Sequence, residues 1–135
     1  MSLIITARLK VFLKKRGTKS QFGCTTNTGC QHVSFLLRTI LQTRKEHNLD
    51  TYGVFVDLVK AFDTVNHTLL YMILSKFGIP RKVFTMIKKL YTNNIVRFNI
   101  GKEHRDVPYT TGVKQGNNLT PTLFIIVMQA MEEIF

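Results

Sequence analysis

The chain has 135 residues, 44% of them hydrophobic and 20% charged, a balance that suits one globular domain spanning residues 1–135 and excludes a disordered polar chain. Nineteen Lys and Arg stand against eight Asp and Glu, a formal net charge of +11, which favours polyanions because each neutralised phosphate releases condensed counterions. Nucleic acid is the first expectation for that charge and a membrane surface the second.

In chain order, Leu3 to Lys15 reads as a basic helix with Leu9, Phe12 and Leu13 on one side. It carries most of a first basic group, Arg8, Lys10, Lys14, Lys15, Arg16 and Lys19. The N-terminus has no sustained apolar region followed by a cleavage site. Gly17 breaks the helix, and Gln21 to Gly29, rich in Gly, Thr and Asn, reads as a loop. Cys24 and Cys30 have no C-x-x-C partner, and His32 alone does not complete a zinc ligand set. Two free thiols in a reducing compartment are expected. Between Gln31 and His47 the apolar residues Val33, Leu36, Leu37, Ile40 and Leu41 recur at helical spacing, and Asn48-Leu49-Asp50 ends that helix.

Tyr52 to Leu58, centred on Val54-Phe55-Val56, suits a strand buried on both faces and ending in Asp57. Asp63 is the expected N-cap of the next helix, with Val65, Leu69, Leu70, Ile73 and Leu74 on its buried side. Gly78 closes that helix and Pro80 opens another, which runs to Tyr91. A second basic group follows this stretch: Arg81, Lys82, Lys88, Lys89, Arg97, Lys102 and Arg105. Asn94 to Ile100 and Arg105 to Thr110 alternate like two strands around a turn near Gly101-Lys102. Gly112 to Asn118 reads as a loop, and Thr120-Pro121 starts an almost wholly apolar helix to Phe135, which must be buried against something larger. Its apolar run from Leu123 to Met128 is far short of the roughly 20 residues of a membrane span, so an intracellular chain without a membrane partner is expected, nuclear or cytoplasmic.

Two segments carry chemistry. In Phe55-Val56-Asp57-Leu58-Val59-Lys60-Ala61-Phe62-Asp63 a carboxylate stands at the end of an apolar strand. That placement is usually a plain turn, and becomes a metal ligand when spacing and a second motif agree, since a buried carboxylate is costly unless paired or metal-bound. The second motif is Gly112-Val113-Lys114-Gln115-Gly116-Asn117-Asn118-Leu119-Thr120-Pro121-Thr122-Leu123-Phe124. Here Gly116 permits close backbone approach, Gln115 offers an amide, and Pro121 sits at a helix N-terminus that favours anions.

Together these segments resemble two sequence blocks of reverse transcriptases, particularly those of non-LTR retrotransposons and group II introns. Phe55 to Asp63 matches the family's aromatic-x-Asp-x-x-Lys-Ala-Phe-Asp block throughout, and Gly112 to Phe124 matches its Gly-Val-Lys/Arg-Gln-Gly-x-x-Leu-Ser/Thr-Pro-x-Leu-Phe block. Gln21-Phe22-Gly23 resembles the family's Gln-x-Gly-Phe segment with Cys24 in place of the usual Phe, and Gly78-Ile79-Pro80 falls where the family often has Gly-x-Pro. The resemblance covers about Arg8 to Phe135.

It implies an α+β fold, the palm with partial fingers of a right-hand polymerase, truncated before the Asp-Asp hairpin. It also implies an RNA template, a DNA primer and dNTP as partners, and two Mg²⁺ ions as cofactors in the complete domain. By resemblance, Asp57 is a catalytic metal ligand and the Leu58 carbonyl a second donor. Ala61, Phe62, Gln115 and Gly116 line the incoming nucleotide, with Phe62 the ring that excludes a 2′-OH. Lys60 and Asp63 are expected to serve the turn and the helix cap. After Gly116 the sequence has no Asp, and Glu132 and Glu133 sit in the last apolar helix, so the family's aromatic-x-Asp-Asp block is unmatched. The expectation is therefore a retroelement RNA-directed DNA polymerase fragment that is inactive alone. A truncated or domesticated nucleic-acid-binding module is the alternative, and a functionless remnant a third reading.

Overall fold

The computed structural model describes residues 1–18, 20–25, 28–101 and 103–133. Lys19, the middle of the Gln21–Gly29 loop, Lys102 in the expected turn, and the expected helix end at Ile134 and Phe135 lie outside the described residues. The elements run α1 (Ser2–Arg16), α2 (Cys30–Glu46), α3 (His67–Lys76), α4 (Arg81–Tyr91), β1 (Ile95–Ile100), β2 (Glu103–Pro108) and α5 (Thr120–Glu132). This is a mixed fold of helices and one small antiparallel sheet, and it divides into two compact units, Thr18–Val59 and Met1–Gly17 with Lys60–Phe135.

The smaller unit is built on α2. Its apolar residues keep the expected helical spacing, yet none of the helix is buried: Phe35, Leu36, Ile40 and Leu41 are all exposed. After the helix, Arg44 folds the chain back by donating from Nε to Thr51 Oγ1 at 2.9 Å and from a second nitrogen to the Asp50 carbonyl. The expected buried strand from Tyr52 to Leu58 does not form. The segment is irregular throughout, and Phe55 is 88% exposed. A strand needs a neighbour for its backbone N–H and C=O groups. The only sheet among the described residues is β1 with β2, so among those residues this segment has no strand to pair with. Cys24 and Cys30 are free and exposed.

The larger unit holds the core. From α1 come Ile5 and Leu9, from α3 Leu70, Ile73 and Leu74, from α4 Val83, Ile87 and Tyr91, and from α5 Leu123, Ile126 and Val127. Helix α5 packs against both α1 and α3, and α3 also packs against α4. The apolar content of α5 thus finds its partners on this one unit, where each fully buried aliphatic side chain contributes about 1.5–3 kcal/mol. The helix ends at Glu132, with Glu133 as its C-cap.

Two expectations about α3 are corrected. Its N-cap is Asn66, whose side chain accepts from the N–H groups of Thr68 (2.8 Å) and Leu69 (3.1 Å). Asp63 cannot cap it, because the Asp63 and Thr64 N–H groups already close a turn onto the Lys60 carbonyl and the following residues are drawn into backbone pairing. Leu69 is exposed rather than buried, since the helix starts later and turns that position outward. Helix α3 ends with Gly78 in the left-handed region at φ 71°. On α4, Val83, Ile87 and Tyr91 form a stripe four residues apart facing the core, and Arg81, Lys82, Lys88 and Lys89 are exposed.

Strands β1 and β2 pair antiparallel, Ile95 opposite Pro108 and Ile100 opposite Glu103, so the second strand begins two residues earlier than its alternation suggests. Every residue of the two strands is exposed. No helix among the described residues is long and apolar enough to cross a membrane.

Candidate functional site: a cleft between the two motifs

The two motifs meet in the larger unit. Lys60, at φ 49°, opens the turn that closes at Asp63 and Thr64. From there the chain runs antiparallel to the start of the second motif. Val113 N–H donates to the Phe62 carbonyl and Gly112 N–H to the Val65 carbonyl, both at 2.8 Å, and Asn66 bridges Thr111. Gly112 is required here twice over. Its φ is 85°, and a Cβ would lie 2.8 Å from the Asp63 carbonyl oxygen and 2.9 Å from its Cα.

Side chains complete the join. Gln115 Nε2 donates to Asp63 Oδ1 at 3.0 Å, so Asp63 anchors the loop carboxamide instead of a helix. The Phe62 ring lies against Phe124 of α5, centroids 4.3 Å apart. The loop then turns into α5: Asn117 Oδ1 accepts from Leu119 N–H at 3.1 Å, and the Thr120 hydroxyl donates to the Lys114 carbonyl. Lys114 Nζ reaches Asn94 Oδ1 at 2.9 Å, tying the loop to the residue before β1.

These contacts shape an open cleft of about 410 Å³ lined by Phe62, Gln115, Gly116, Asn117, Asn118, Thr120 and Pro121. At Gly116, φ is 80° and a Cβ would meet nothing, so the glycine serves backbone conformation and leaves the cleft open. In the first turn of α5 the N–H groups of Leu119, Thr120 and Leu123 are already held by Asn117 Oδ1, the Asn117 carbonyl and the Leu119 carbonyl, and Pro121 has none. The turn carries no acidic residue, so its helix dipole still favours an anion.

Of the residues singled out from sequence, the structure brings Phe62, Gln115 and Gly116 together in this cleft. Ala61 lies in the turn beside Phe62, outside the lining. Asp57 and Leu58 belong to the smaller unit, on its exposed irregular segment. Four further participants were not singled out as site residues from sequence: Asn117 and Asn118 in the lining, Phe124 behind Phe62, and His67. The periodicity of α5 hid Phe124 among core residues, and nothing in the spacing marked Asn118 or His67.

His67, the first residue of α3, approaches the Gly112 carbonyl with Nε2 at 2.7 Å. A carbonyl can only accept, so Nε2 carries the proton. The ring sits among Tyr91, Tyr109 and Tyr71 at centroid distances of 5.2, 5.9 and 6.3 Å. Burial pushes all three phenols above their ordinary range; the neighbouring Tyr91 and the Asp63 charge raise Tyr109 further.

Mg²⁺ demands near-octahedral oxygen donors, with several carboxylates or phosphates among them. Asp57 offers one carboxylate and Leu58 one carbonyl, and no group of three His, Cys, Asp or Glu gathers among the described residues. The residues present do not make a Mg²⁺ site by themselves.

Residues 1–135 match the family model described as reverse transcriptase (RNA-dependent DNA polymerase). The chain is 28% identical over 112 residues to the retrovirus-related Pol polyprotein from the type-2 retrotransposable element R2DM of Drosophila melanogaster, covering 82% of this chain and 11% of that protein. It is 32% identical over 100 residues to the Pol polyprotein from a type-1 retrotransposable element R2 of Popillia japonica, covering 73% of this chain and 14% of the relative. A Nasonia vitripennis relative of the same name is 32% identical over 104 residues, 76% of this chain and 10% of the relative. The chain thus spans about a tenth to a seventh of the length of these relatives.

Proposed function

Because the chain belongs to the reverse transcriptase (RNA-dependent DNA polymerase) family, we propose that it forms palm and partial fingers of a retroelement polymerase, and that its cleft receives the incoming dNTP opposite an RNA template and a DNA primer. The observation that carries this reading is the convergence of Phe62, Gln115 and Gly116 on one cleft at the N-terminus of α5. Each lining group suits one part of a nucleotide. The ring of Phe62 is a flat wall for the sugar and closes the space a 2′-OH would need. Among the described residues the Gln115 side-chain carbonyl takes no hydrogen bond, and only its NH₂ is engaged, with Asp63. The first turn of α5, which carries no acidic residue, turns the positive end of its helix dipole toward phosphate oxygens.

Two Mg²⁺ ions are the cofactors this reading implies, and they would supply charge neutralisation of the triphosphate. Asp57 and Leu58 are the donors this chain offers toward them; the remaining oxygens would come from other residues or from the substrate. We therefore propose that the chain alone binds nucleotide and does not extend a primer. A titration of the isotope-labelled chain with dTTP tests the assignment. Shifts are expected at Phe62, Gln115 and Gly116, with weaker binding of the ribonucleotide. Shifts confined to residues outside the cleft would sink it.

The charge of +11 favours a second reading, a basic module that binds nucleic acid without catalysis. It predicts polyanion binding with no response of the cleft residues to dTTP.

A further inference from the structure

We propose that His67 is the positioning residue for the Gln115–Gly116 wall of the cleft, acting through the Gly112 carbonyl. The inference rests on the nucleotide reading of the cleft only for its consequence; the positioning itself is carried by geometry. Gly112 is the point at which the second motif is pressed onto the first. Its N–H is held by the Val65 carbonyl and the next N–H by the Phe62 carbonyl. Its own carbonyl, which lies between those two bonds, is held by His67 Nε2. The peptide planes on both sides of Gly112 are thereby oriented at the start of the loop that carries Gln115 and Gly116.

The ring is well placed to hold such a direction. His67 follows Asn66, which caps α3 and bridges Thr111, so the backbone beneath the ring is anchored to the same loop. Three tyrosine rings surround the imidazole, and packing of this kind restricts the rotamer and strengthens a partly buried hydrogen bond. His67 does not line the cleft. Its influence on nucleotide passes through Gly112 and Val113 to Gln115, whose amide closes on Asp63. Without the imidazole N–H, the Gly112 carbonyl would turn toward water and the loop would lose one of its pins.

Three measurements on the full chain test this. In the wild-type protein, imidazole nitrogen shifts should report the Nε2–H tautomer at neutral pH; the Nδ1–H tautomer would overturn the proposal. His67→Phe keeps an aromatic ring and removes the donor. It should speed hydrogen exchange at Val113 N–H about five- to tenfold relative to Ile126 in α5, the loss expected for one hydrogen bond. His67→Gln, whose Nε2 reaches about as far, should restore Val113 protection. Unchanged exchange at Val113 in the Phe variant, or acceleration spread evenly over α3, α4 and α5 and not reversed by Gln, would reduce His67 to a packing residue and defeat the proposal. Should the Phe variant fail to fold, a folded Gln variant with native Val113 protection supports positioning and one without it refutes it. The dTTP titration separates the two readings. Tautomer and exchange as expected with no dTTP binding by wild type leaves the positioning role standing and removes the nucleotide assignment. Binding that weakens in the Phe variant and returns in the Gln variant supports both.

Discussion

At Gly112, two independent constraints fall on one atom that is missing. A side chain there must tolerate φ 85° and a Cβ 2.8 Å from a backbone oxygen, and backbone cannot swing away as a flexible side chain would. Gly112→Ala should therefore destabilise the larger unit by about 2–3 kcal/mol; a thermal melt within a degree of wild type would contradict the packing described. Phe62 presents a different balance. It is half-buried against Phe124, so Phe62→Ala should cost less than the roughly 3–5 kcal/mol of a fully buried ring, while opening the wall of the cleft. In a polymerase containing this chain, the ratio of ribo- to deoxynucleotide incorporation should rise; an unchanged ratio in a folded variant removes the sugar-wall assignment. The tyrosines around His67 set an alkaline limit. Their folded pKa values are raised by burial, so the unfolded chain loses phenolic protons first as pH climbs past the ordinary value of 10.0. Their contribution is complete below that pH and is lost as pH rises through the raised folded values. Stability measured between neutral pH and pH 11 should decline with the onset of phenolate absorbance; a level profile would exclude the effect.

All five helices were legible in the sequence because apolar periodicity and turn residues act locally, α2 to within a residue at each end, and Gly78, Pro80 and Pro121 mark boundaries by their own backbone geometry. The hairpin was legible for the same reason, though not its register, which cross-strand pairing sets. Tyr52 to Leu58 was misread because a strand is a relation between segments: Val54-Phe55-Val56 has the composition of one and no partner among the described residues. Asp63 was misread as a cap because Gly112, far along the chain, holds the residues after it in an extended path. For the cleft, the motifs named Phe62, Gln115 and Gly116, whereas the hydrogen bonds of Asp63 and His67 follow from long-range contact that no spacing encodes. The hairpin offers its own test. Arg97 grips Asp106 with two hydrogen bonds at 2.7 and 2.8 Å, which hold the Asp106 carboxyl below its ordinary value. A depressed carboxylate contributes above the unfolded pKa and loses its contribution as pH falls through the folded one. The cross-strand contacts of β1 and β2 should weaken in that acid range and Arg97→Gln should abolish the transition; an Asp106 carboxyl titrating in the ordinary carboxylate range in wild type would deny the pair its hold.

Across the whole chain, charge and exposed apolar surface oppose each other. The apolar side of α2, the segment around Phe55 and both faces of the hairpin leave large hydrophobic residues in water, which favours association, while a net charge of +11 drives copies apart and is screened as salt rises. The same charge should bind single-stranded nucleic acid, and its placement gives the binding a size. From Thr64 to Lys102 there is no acidic residue, and α4 exposes Arg81, Lys82, Lys88 and Lys89 beside one another. Arg97 is committed to Asp106 and drops out of the count. Four phosphates neutralised on a single strand correspond to a slope of about −3 in log K against log salt, and each lost contact removes about 0.7. The Lys88→Glu, Lys89→Glu double variant should thus flatten the slope by at least about 1.4 and weaken oligo-dT and oligo-rA alike, since phosphate contacts carry no base information. The basic residues of α1 would sustain binding if α4 were not involved, so a double variant with the wild-type slope would move the contact off α4. A flat salt dependence in the wild-type chain would remove electrostatic nucleic-acid binding altogether. Lys89 lies on the solvent side of α4, opposite Val83, Ile87 and Tyr91, whereas Lys88 holds its ammonium 5.9 Å from the centre of the Tyr71 ring, so the thermal midpoint should fall slightly through the lost cation–π contact. A folded double variant with a flattened slope then reports lost phosphate contacts rather than lost fold.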